Sequence, residues 1–285
     1  MITNLKRKLS CAPLCVAGAA LVLTAFSASP VLADHNYQSN GVAAVNLGAA
    51  ATFGTFGGAA GITNQGTYTR IKGDIGTTAA STMITGFHDK TGHVYTQTPL
   101  NVGTVTGTIY TAPPAPGTAA SLAIAAKVAL DAKTAFNKLS PALLPGGKDP
   151  FAGLLGGKTI YPGVYKSASG TFKITGSDVF LDAQGNPDAV WVFQSASSLT
   201  VGEPGAPRSI ILSNGAQAKN VFWQVGSSAT INGAGGGTMV GTIIAYSGVT
   251  FSTPGNAAVT TLNGRALALN ASVTMVNTVI NVPAP

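Results

Sequence analysis

A repeated segment between Val190 and Thr274 constrains the fold of this chain more than any other feature. Four times, an apolar run leads into a short stretch of small residues that ends on threonine. The copies are VWVFQSASSLT, VFWQVGSSAT, IIAYSGVT and ALALNASVT. One such unit cannot bury its apolar face alone, so we expect the units to stack as coils of a β-solenoid, about 4.7–4.9 Å apart. Stacking would place the four closing threonines in one surface file; they are Thr200, Thr230, Thr250 and Thr274.

The first 33 residues have the features of a secretory signal peptide. A basic start at residues 6–8 is followed by an apolar run from Val16 to Phe26 and by the small residue Ala33 just before Asp34. We therefore expect cleavage after Ala33 and secretion of residues 34–285 as one domain. The alternative is an N-terminal membrane anchor, but the apolar run is short for a span, and Pro30 interrupts it before any stop-transfer charges.

The composition indicates a secreted chain with a packed core. Both cysteines, Cys11 and Cys15, lie in the leader, so the mature chain must be stabilised by packing and hydrogen bonds rather than by disulfides. Glycine is abundant, but a hydrophobic content of 45% and recurring β-branched runs argue against disorder. Loss of the three leader cations leaves thirteen bases against nine acids, a net charge of about +4, without a basic run that contains aromatic residues. Nucleic acid is therefore not expected as a partner.

Residues 118–139 contain neither glycine nor proline and read as a helix. Their apolar residues recur at three- and four-residue spacing, which predicts one amphipathic helix. The expected stripe is Leu122, Ala125, Ala129, Ala132, Phe136 and Leu139. Thr118 or Ser121 can cap its start, and Ser140-Pro141 ends it. Because the stripe is narrow and rich in alanine, we expect the helix to lie close against a sheet; a helix that binds a partner is the alternative.

The other apolar segments predict further coils on both sides of this helix. Short strands punctuated by glycine are predicted from Val45 to Gly76, and the stretch from Ser81 to Ile109 contains β-type alternation at Val102, Thr104, Thr106 and Thr108. We interpret both segments as the first coils and an N-terminal cap, which a solenoid needs to blunt its open edge. After the helix, short strands from Thr159 to Leu181 lead into the four copies, and MVNTVINV closes the chain on a final strand.

Several of these segments, in this order, resemble the secreted ice-binding protein family of bacteria, fungi and algae. The resemblance is carried by TIYPGVY, LDAQGNPDAVWVFQ, NGAQAKNVFWQVGSSAT, GTIIAYSGVTF and LNGRALALNASVT. It covers Val45 to Ile280 and includes the helix between two groups of coils. It implies a fold dominated by β-structure: a discontinuous right-handed β-solenoid (β-helix) of triangular cross-section with one long α-helix packed alongside.

The resemblance also implies a site. Strongly active family members carry a Thr-(Ala or Gly)-any-(Thr or Asn) pattern on one flat face. Here the closing threonine is kept in all four copies, whereas the opening residue is serine in three copies and Ala271 in the fourth. The residues expected to contact ice are Ser197, Thr200, Ser227, Thr230, Ser247, Thr250, Ser272 and Thr274.

The chemistry of threonine suits such a site. Ice presents a repeating array of oxygens without charge, so a protein matches it only with a flat, regular and uncharged surface. Threonine supplies a hydroxyl that anchors water, a methyl group, and a restricted χ1 that orders the array before binding. Serine keeps the hydroxyl but lacks the methyl group. The alternative is that a solenoid repeats such residues only for strand packing and hydrogen bonding.

Catalysis and cofactor binding have little support in the sequence. His88-Asp89 with His93 could be imagined as a metal site, but the glycine-rich surroundings indicate a loop. Polysaccharide-cleaving β-helices need clustered carboxylates, whereas the nine acidic residues here are scattered, and Asp182 and Asp188 fall in turns. We therefore predict a protein that is not an enzyme and that has no cofactor and no metal.

The sequence thus predicts a secreted, monomeric protein whose Thr/Ser-rich face adsorbs to ice and inhibits its growth or recrystallisation. The expected partner is the ice crystal surface, with no membrane partner once the leader is cleaved. The alternative is a non-catalytic adhesion or structural module of the same fold at the cell surface or in a matrix.

Overall fold

Short strands that pair in parallel dominate residues 42–255 and 257–284, the part of the chain that the computed structural model describes. The strands before the helix are β1 (Phe53–Gly57), β2 (Ile62–Asn64), β3 (Arg70–Lys72), β4 (Asp74–Ala80), β5 (Ile84–Thr85), β6 (Phe87–His88), β7 (Val94–Tyr95), β8 (Gly103–Val105) and β9 (Ile109–Ala112). The helix α1 spans Ala119–Leu139. The strands after it are β10 (Thr159–Ile160), β11 (Gly163–Lys166), β12 (Phe172–Ile174), β13 (Val179–Asp182), β14 (Trp191–Ser195), β15 (Leu199–Val201), β16 (Ile210–Ser213), β17 (Val221–Val225), β18 (Ala229–Ile231), β19 (Thr238–Ala245), β20 (Val249–Phe251), β21 (Thr260–Ala268), β22 (Val273–Met275) and β23 (Thr278–Asn281). Short 3-10 turns lie at Gly48–Thr52, Ser81–Met83, Phe151–Gly153 and Ala218–Asn220.

Successive coils pair strand for strand. The coil of β13, β14 and β15 lies in register with the coil of β16, β17 and β18. Repeated along the chain, these pairings give a seven-stranded sheet in the order β12-β15-β18-β20-β22-β2-β5. A three-stranded sheet and a 13-stranded sheet form the other surfaces. The 13-stranded sheet branches at β21, whose start pairs with β23 and whose end pairs with β1. The predicted β-solenoid with one helix is confirmed.

The two ends of the described chain meet inside the stack. β23 pairs with β21 on one side and β3 on the other, while β1 and β2 pair with the end of β21 and with β22. One coil is thus assembled from residues 278–281 and residues 53–64. Residues 45–109 do form coils, as expected, but these coils follow the last C-terminal coil in the stack instead of preceding β10. The 21-residue helix returns the chain to β10, since at 1.5 Å per residue it covers about 32 Å, the height of six or seven coils.

A buried arginine fastens this junction. Arg265 in β21 is 4% exposed. Its Nε and Nη2 donate to the carbonyl oxygen of Ala51 at 2.8 and 2.6 Å, and Nη2 also donates to the carbonyl oxygen of Pro283 at 3.1 Å. Burial lowers the pKa of Arg265 to about 10, so the side chain remains charged at neutral pH. The carbonyl oxygens replace water around that charge and tie both ends of the chain to one strand.

Stacked aromatic rings fill one end of the solenoid interior. The ring centroids of Tyr165 and Phe193 are 5.4 Å apart, and those of Phe193 and Trp223 are 4.0 Å apart in a nearly parallel stack. These residues are register partners on neighbouring strands, so the strand spacing itself brings the rings together. Phe172 packs edge-on against Phe193 and Trp223, and the indole Nε1 of Trp223 donates to the carbonyl oxygen of Val240 at 2.9 Å.

The helix packs against the outer surface of the 13-stranded sheet, as predicted. Thr118 caps it by accepting a hydrogen bond from the Ser121 backbone N–H at 3.0 Å. The predicted stripe is only partly right, because the buried line is Ala125, Val128, Ala132, Ala135 and Leu139, with Leu122, Ala129 and Phe136 at its margins. The sheet presents Val192, Phe222, Ile244, Leu267 and Phe56 to it. The small alanines sit at the centre of the contact, which lets the helix approach the sheet closely.

The open ends of the stack are covered. At one end, β6 and β7 form an antiparallel hairpin next to β8. At the other end, residues 148–157 lie beside the first coil through bridges from Lys148 to Tyr165 and from Leu154 to Lys173. The predicted alternation from Val102 to Thr108 is divided in the structure, since β8 ends at Val105 and β9 starts at Ile109. The hairpin and residues 148–157 thus occupy backbone groups at the strand edges that could otherwise pair with another chain.

The predicted leader, residues 1–33, lies outside the described residues. In the part of the chain that is described, no helix combines the length and the apolarity that a membrane crossing requires.

Candidate functional site

The seven-stranded sheet presents one outward-facing side chain from each of its strands. In β20, for example, Val249 and Phe251 are fully buried and Thr250 between them faces outward. The outward residues lie in register from strand to strand, in the order Lys173, Thr200, Thr230, Thr250, Thr274, Thr63 and Thr85. The six threonines of this series, from Thr200 to Thr85, are termed the threonine file below. The predicted alignment of Thr200, Thr230, Thr250 and Thr274 is confirmed.

Two members of the threonine file, Thr63 and Thr85, were not predicted from the sequence. They come from the N-terminal coils, and β2 joins the file only because it pairs with β22 across the junction of the chain ends. A local signal for them does exist: Ile62-Thr63 and Ile84-Thr85 repeat the apolar-threonine step of Val249-Thr250. Their position in the file could not be deduced from that step, because it depends on a pairing between residues more than 200 positions apart.

The hydroxyl groups of the threonine file are free. Across the described residues, none of the six side chains forms a hydrogen bond with another protein group, although many other threonines do. Five of the six are half-buried, held by neighbours on either side, and Thr230 is exposed. Each hydroxyl therefore keeps its donor and acceptor capacity for water, while the restricted χ1 and the neighbouring strands fix its direction.

A second file runs beside the first at the opening positions of the repeats. Backbone N–H groups donate from Ser197 to the carbonyl oxygen of Gly170 at 2.7 Å, from Ser227 to Ser197 at 2.6 Å, and from Ser247 to Ser227 at 2.8 Å. Ala271 continues the series at 3.3 Å. Ser272, one of the residues expected to contact ice, lies outside this file. It belongs to the adjacent column with Ser198 and Ser228, whose carbonyl oxygens accept hydrogen bonds from the strands. The opening file thus contains three serines.

Charge is absent from most of this surface. The segments around the five threonines from Thr230 to Thr85 contain no Asp, Glu, Lys or Arg in residues 226–236, 246–255, 269–277, 58–66 and 81–87. Charges appear only near the Thr200 end. There Lys173 is exposed, and the carboxylate of Glu203 accepts from the Gly176 backbone N–H and lies 3.3 Å from Arg208 Nη2. The hydrogen bond from Gly176 is the main cause that lowers the pKa of Glu203.

A shallow groove of about 420 Å³ adjoins that charged end. It lies between Thr200, Thr230 and the turns that carry Pro204 and Thr253, and its lining is largely apolar. Asn232 builds the turn between them by donating to the carbonyl oxygens of Arg208 and Gly236 at 3.0 and 2.7 Å. Two members of the threonine file, Thr200 and Thr230, thus line one side of the groove.

His88 and His93 lie outside this sheet, and each contacts a different side chain. His88 Nδ1 is 2.7 Å from Gln97 Nε2, whereas His93 is paired with the buried Asp89 at 3.6 Å in the turn of the β6–β7 hairpin. Asp89 accepts from the Thr91 hydroxyl at 2.5 Å and from the Thr91 backbone N–H at 2.9 Å, which is the role of a turn residue. Within the described ranges, no group of three or more His, Cys, Asp or Glu side chains could hold a metal ion.

Comparison with known proteins agrees with this geometry. The family model described as Ice-binding-like matches residues 56–281. A relative from Nostoc sp. (strain HG1), called an ice-binding protein, is 38% identical over 248 residues, which cover 86% of this chain and 77% of the relative. An ice-binding protein of Flavobacterium frigoris (strain PS1) is 32% identical and is covered over 75% of its length, with 82% of this chain.

Solved structures extend the comparison. The crystal structure of an ice-binding protein from the Antarctic ascomycete Antarctomyces psychrotrophicus superposes with a TM-score of 0.63 at 31% identity, over 85% of this chain and 100% of that one. An ice-binding protein from an Antarctic biological consortium gives a TM-score of 0.63 at 32% identity, over 85% and 93% of the two chains. Sequence similarity and backbone superposition thus both extend over most of the chain, and the chain belongs to the ice-binding-like family.

Proposed function

We propose that this protein adsorbs to ice through the threonine file and thereby inhibits ice growth or recrystallisation. The observation that carries the proposal is the file itself: six threonines in strand register, with hydroxyls that no protein group occupies in the described structure. The curated relatives quoted above bear the name ice-binding protein, which supports the same function. The opening serines Ser197, Ser227 and Ser247 would widen the contact to two columns.

The physical basis is regularity without charge. Neighbouring threonines are one strand spacing apart, about 4.7–4.9 Å, so six of them extend over about 24 Å. The strands below are fixed by buried side chains and by continuous backbone pairing, and binding therefore requires little further ordering of the surface. A flat array that already orders water in a regular pattern can join an ice lattice over many weak contacts at once.

The remaining features belong to the same proposal. Residues 1–33 are a signal peptide that directs secretion, and the mature domain is residues 34–285. The protein acts as a monomer, without catalysis and without a cofactor, because the surface that meets ice needs only ordered hydroxyl and methyl groups. An adhesion module would use the same regular face for another partner, but the ice-binding names of the relatives do not favour it.

The direct test is an ice assay on the purified mature protein. Thermal hysteresis, crystal shaping and inhibition of recrystallisation should each be measured near 0 °C against a matched concentration of an inert protein. We expect faceted crystals and slowed recrystallisation. Failure in all three assays, with a folded β-rich protein by far-UV circular dichroism, would refute the proposal and favour the adhesion module.

A further inference from the structure

The threonine file ends one strand before the sheet does, because the strand at that edge of the sheet carries a lysine at the outward position. β12 is the first strand of the seven-stranded sheet, and its central residue, Lys173, is the register partner of Thr200. Phe172 and Ile174 on either side of Lys173 are fully buried, as are their counterparts in the threonine strands. The backbone is also continuous, since the Phe172 N–H donates to the carbonyl oxygen of Ser198 at 3.0 Å and the Gly202 N–H to that of Ile174 at 2.9 Å. The outward side chain is therefore what changes at this position.

Lys173 is a free cation at the end of the file. Its side chain is exposed, and among the described residues it forms no ion pair and no hydrogen bond. Lysine ends in a compact, strongly hydrated ammonium on a flexible four-carbon stem, and this group only donates hydrogen bonds. Such a group holds water in its own geometry and moves between rotamers, whereas a threonine presents a fixed hydroxyl and methyl group. Beyond it, the cap residue paired with Lys173 is Leu154, which is 53% exposed and has no hydroxyl.

We propose that Lys173 sets the boundary of the ice-contact surface, and that the strand beneath it could support a seventh threonine. This inference rests on the proposed function and adds a residue that limits its strength. The uncharged part of the sheet begins after Thr200 and continues through Thr230, Thr250, Thr274, Thr63 and Thr85. Contact with ice is accordingly centred towards the junction of the chain ends, and Thr200, next to the ammonium, contributes least.

The first test is Lys173→Thr, with Lys166→Thr as its matched control. Lys166 lies in the same coil, is exposed, and loses the same charge, but it stands outside the seven-stranded sheet. Thermal hysteresis of Lys173→Thr should exceed that of the wild type by at least about one sixth, the share that a seventh threonine adds to six. Lys166→Thr should match the wild type. Equal hysteresis for Lys173→Thr and the wild type, at equal melting temperature, would overturn the boundary role.

A second pair of variants tests the boundary through a loss of thermal hysteresis instead of an increase. Thr200→Lys adds a second charge one strand further inward and shortens the file by one residue, whereas Thr250→Lys adds a charge near the middle of the file. Thr200→Lys should retain most of the wild-type hysteresis and Thr250→Lys should lose it. If the two variants lose equal activity, Thr200 is not peripheral and the inference fails. A wild type that is inactive would instead refute the proposed function itself, so the two failures remain distinct.

Discussion

The threonine file and the file that faces outward on the 13-stranded sheet have the same construction and different contents. The second file, termed the mixed file, runs in strand register through Thr238, Thr261, Val279, Arg70, Thr104 and His88. Both files contain six residues on stacked parallel strands. One repeats a single residue type at every step, whereas the other contains hydroxyl, aliphatic, cationic and aromatic side chains.

This difference shows that stacking alone does not require repetition. If solenoid packing or hydrogen bonding between strands demanded like residues in a column, the mixed file would be uniform as well. The mixed file also uses its polar groups internally: the Thr104 hydroxyl is 3.5 Å from His88 Nε2, whereas the threonine file leaves its hydroxyls free in the described structure. The uniformity of the threonine file therefore needs a reason outside the protein, and a regular external surface provides one.

The largest expected effect comes from placing a bulky residue in the middle of the threonine file. Thr250→Tyr should abolish ice shaping and thermal hysteresis, because the phenol ring would hold the surrounding threonines away from the lattice. Thr250 faces outward between buried neighbours, so the free energy of unfolding should change by only about 0.5 kcal/mol. Hysteresis and the melting temperature of the same sample are the measurements.

The matched control is Thr261→Tyr in the mixed file. Thr261 is also an outward, half-buried threonine on a parallel strand, and the substitution is the same. This variant should keep wild-type activity. Equal loss from both substitutions would mean that the two files do not differ in function, and loss from Thr261→Tyr alone would place the ice-contact surface on the other sheet.

A comparable loss is expected at Thr63, which tests whether the file is one surface across the junction of the chain ends. Thr63→Tyr should remove activity as Thr250→Tyr does, since Thr63 lies between Thr274 and Thr85. Val279→Tyr is the control, because Val279 belongs to the same composite coil but lies in the mixed file. Retained hysteresis in Thr63→Tyr would confine the ice contact to the C-terminal coils.

The sequence was sufficient for features that depend on local pattern and for the order of neighbouring repeats. The helix and the alignment of four threonines follow from spacing within the chain, and the sequence narrowed the helix cap to Thr118 or Ser121. The junction does not, because the pairing of Ile62 with Val273 is a contact between distant segments that share no continuous pattern. For the same reason Thr63 and Thr85 were missed. The offset of the helix stripe towards Val128 and Ala135 is a smaller case, since an alanine-rich helix gives little information about which side meets the sheet.

Placing threonine at the opening positions should have a smaller effect, an increase in thermal hysteresis instead of a loss. Ser227→Thr with Ser247→Thr adds two methyl groups next to the threonine file while keeping both hydroxyls. Hysteresis should rise, with a change in the free energy of unfolding within about 0.5 kcal/mol. Ser177→Thr adds a methyl group on an exposed turn outside both files and should leave hysteresis unchanged. A double variant no more active than the wild type would exclude the opening file from the contact.

The smallest effect should come from pH, because the threonine file has no titratable side chain and the mixed file does. Hysteresis should stay constant from about pH 5 to about pH 9, the range in which a surface dependent on histidine would change charge. Stability should respond only in acid. Burial opposes ionisation of Asp89, but hydrogen bonds from Thr91 and His93 outweigh it and lower its pKa. Hydrogen bonds from Lys127 and Ala49 lower the pKa of Asp131.

The sign of the acid effect follows from these two carboxylates. Both have a lower pKa in the folded protein than the ordinary value of 3.8, so their stabilisation is complete above that pH and is lost as the pH falls below it. Asp89 holds the hairpin that covers one end of the stack, and Asp131 holds α1 to the turn at Gly48–Thr52. The melting temperature should therefore decrease once the pH is below about 4, while hysteresis per folded molecule stays constant. A change in hysteresis between about pH 5 and about pH 9, at constant melting temperature, would implicate a titratable side chain and contradict contact through the threonine file alone.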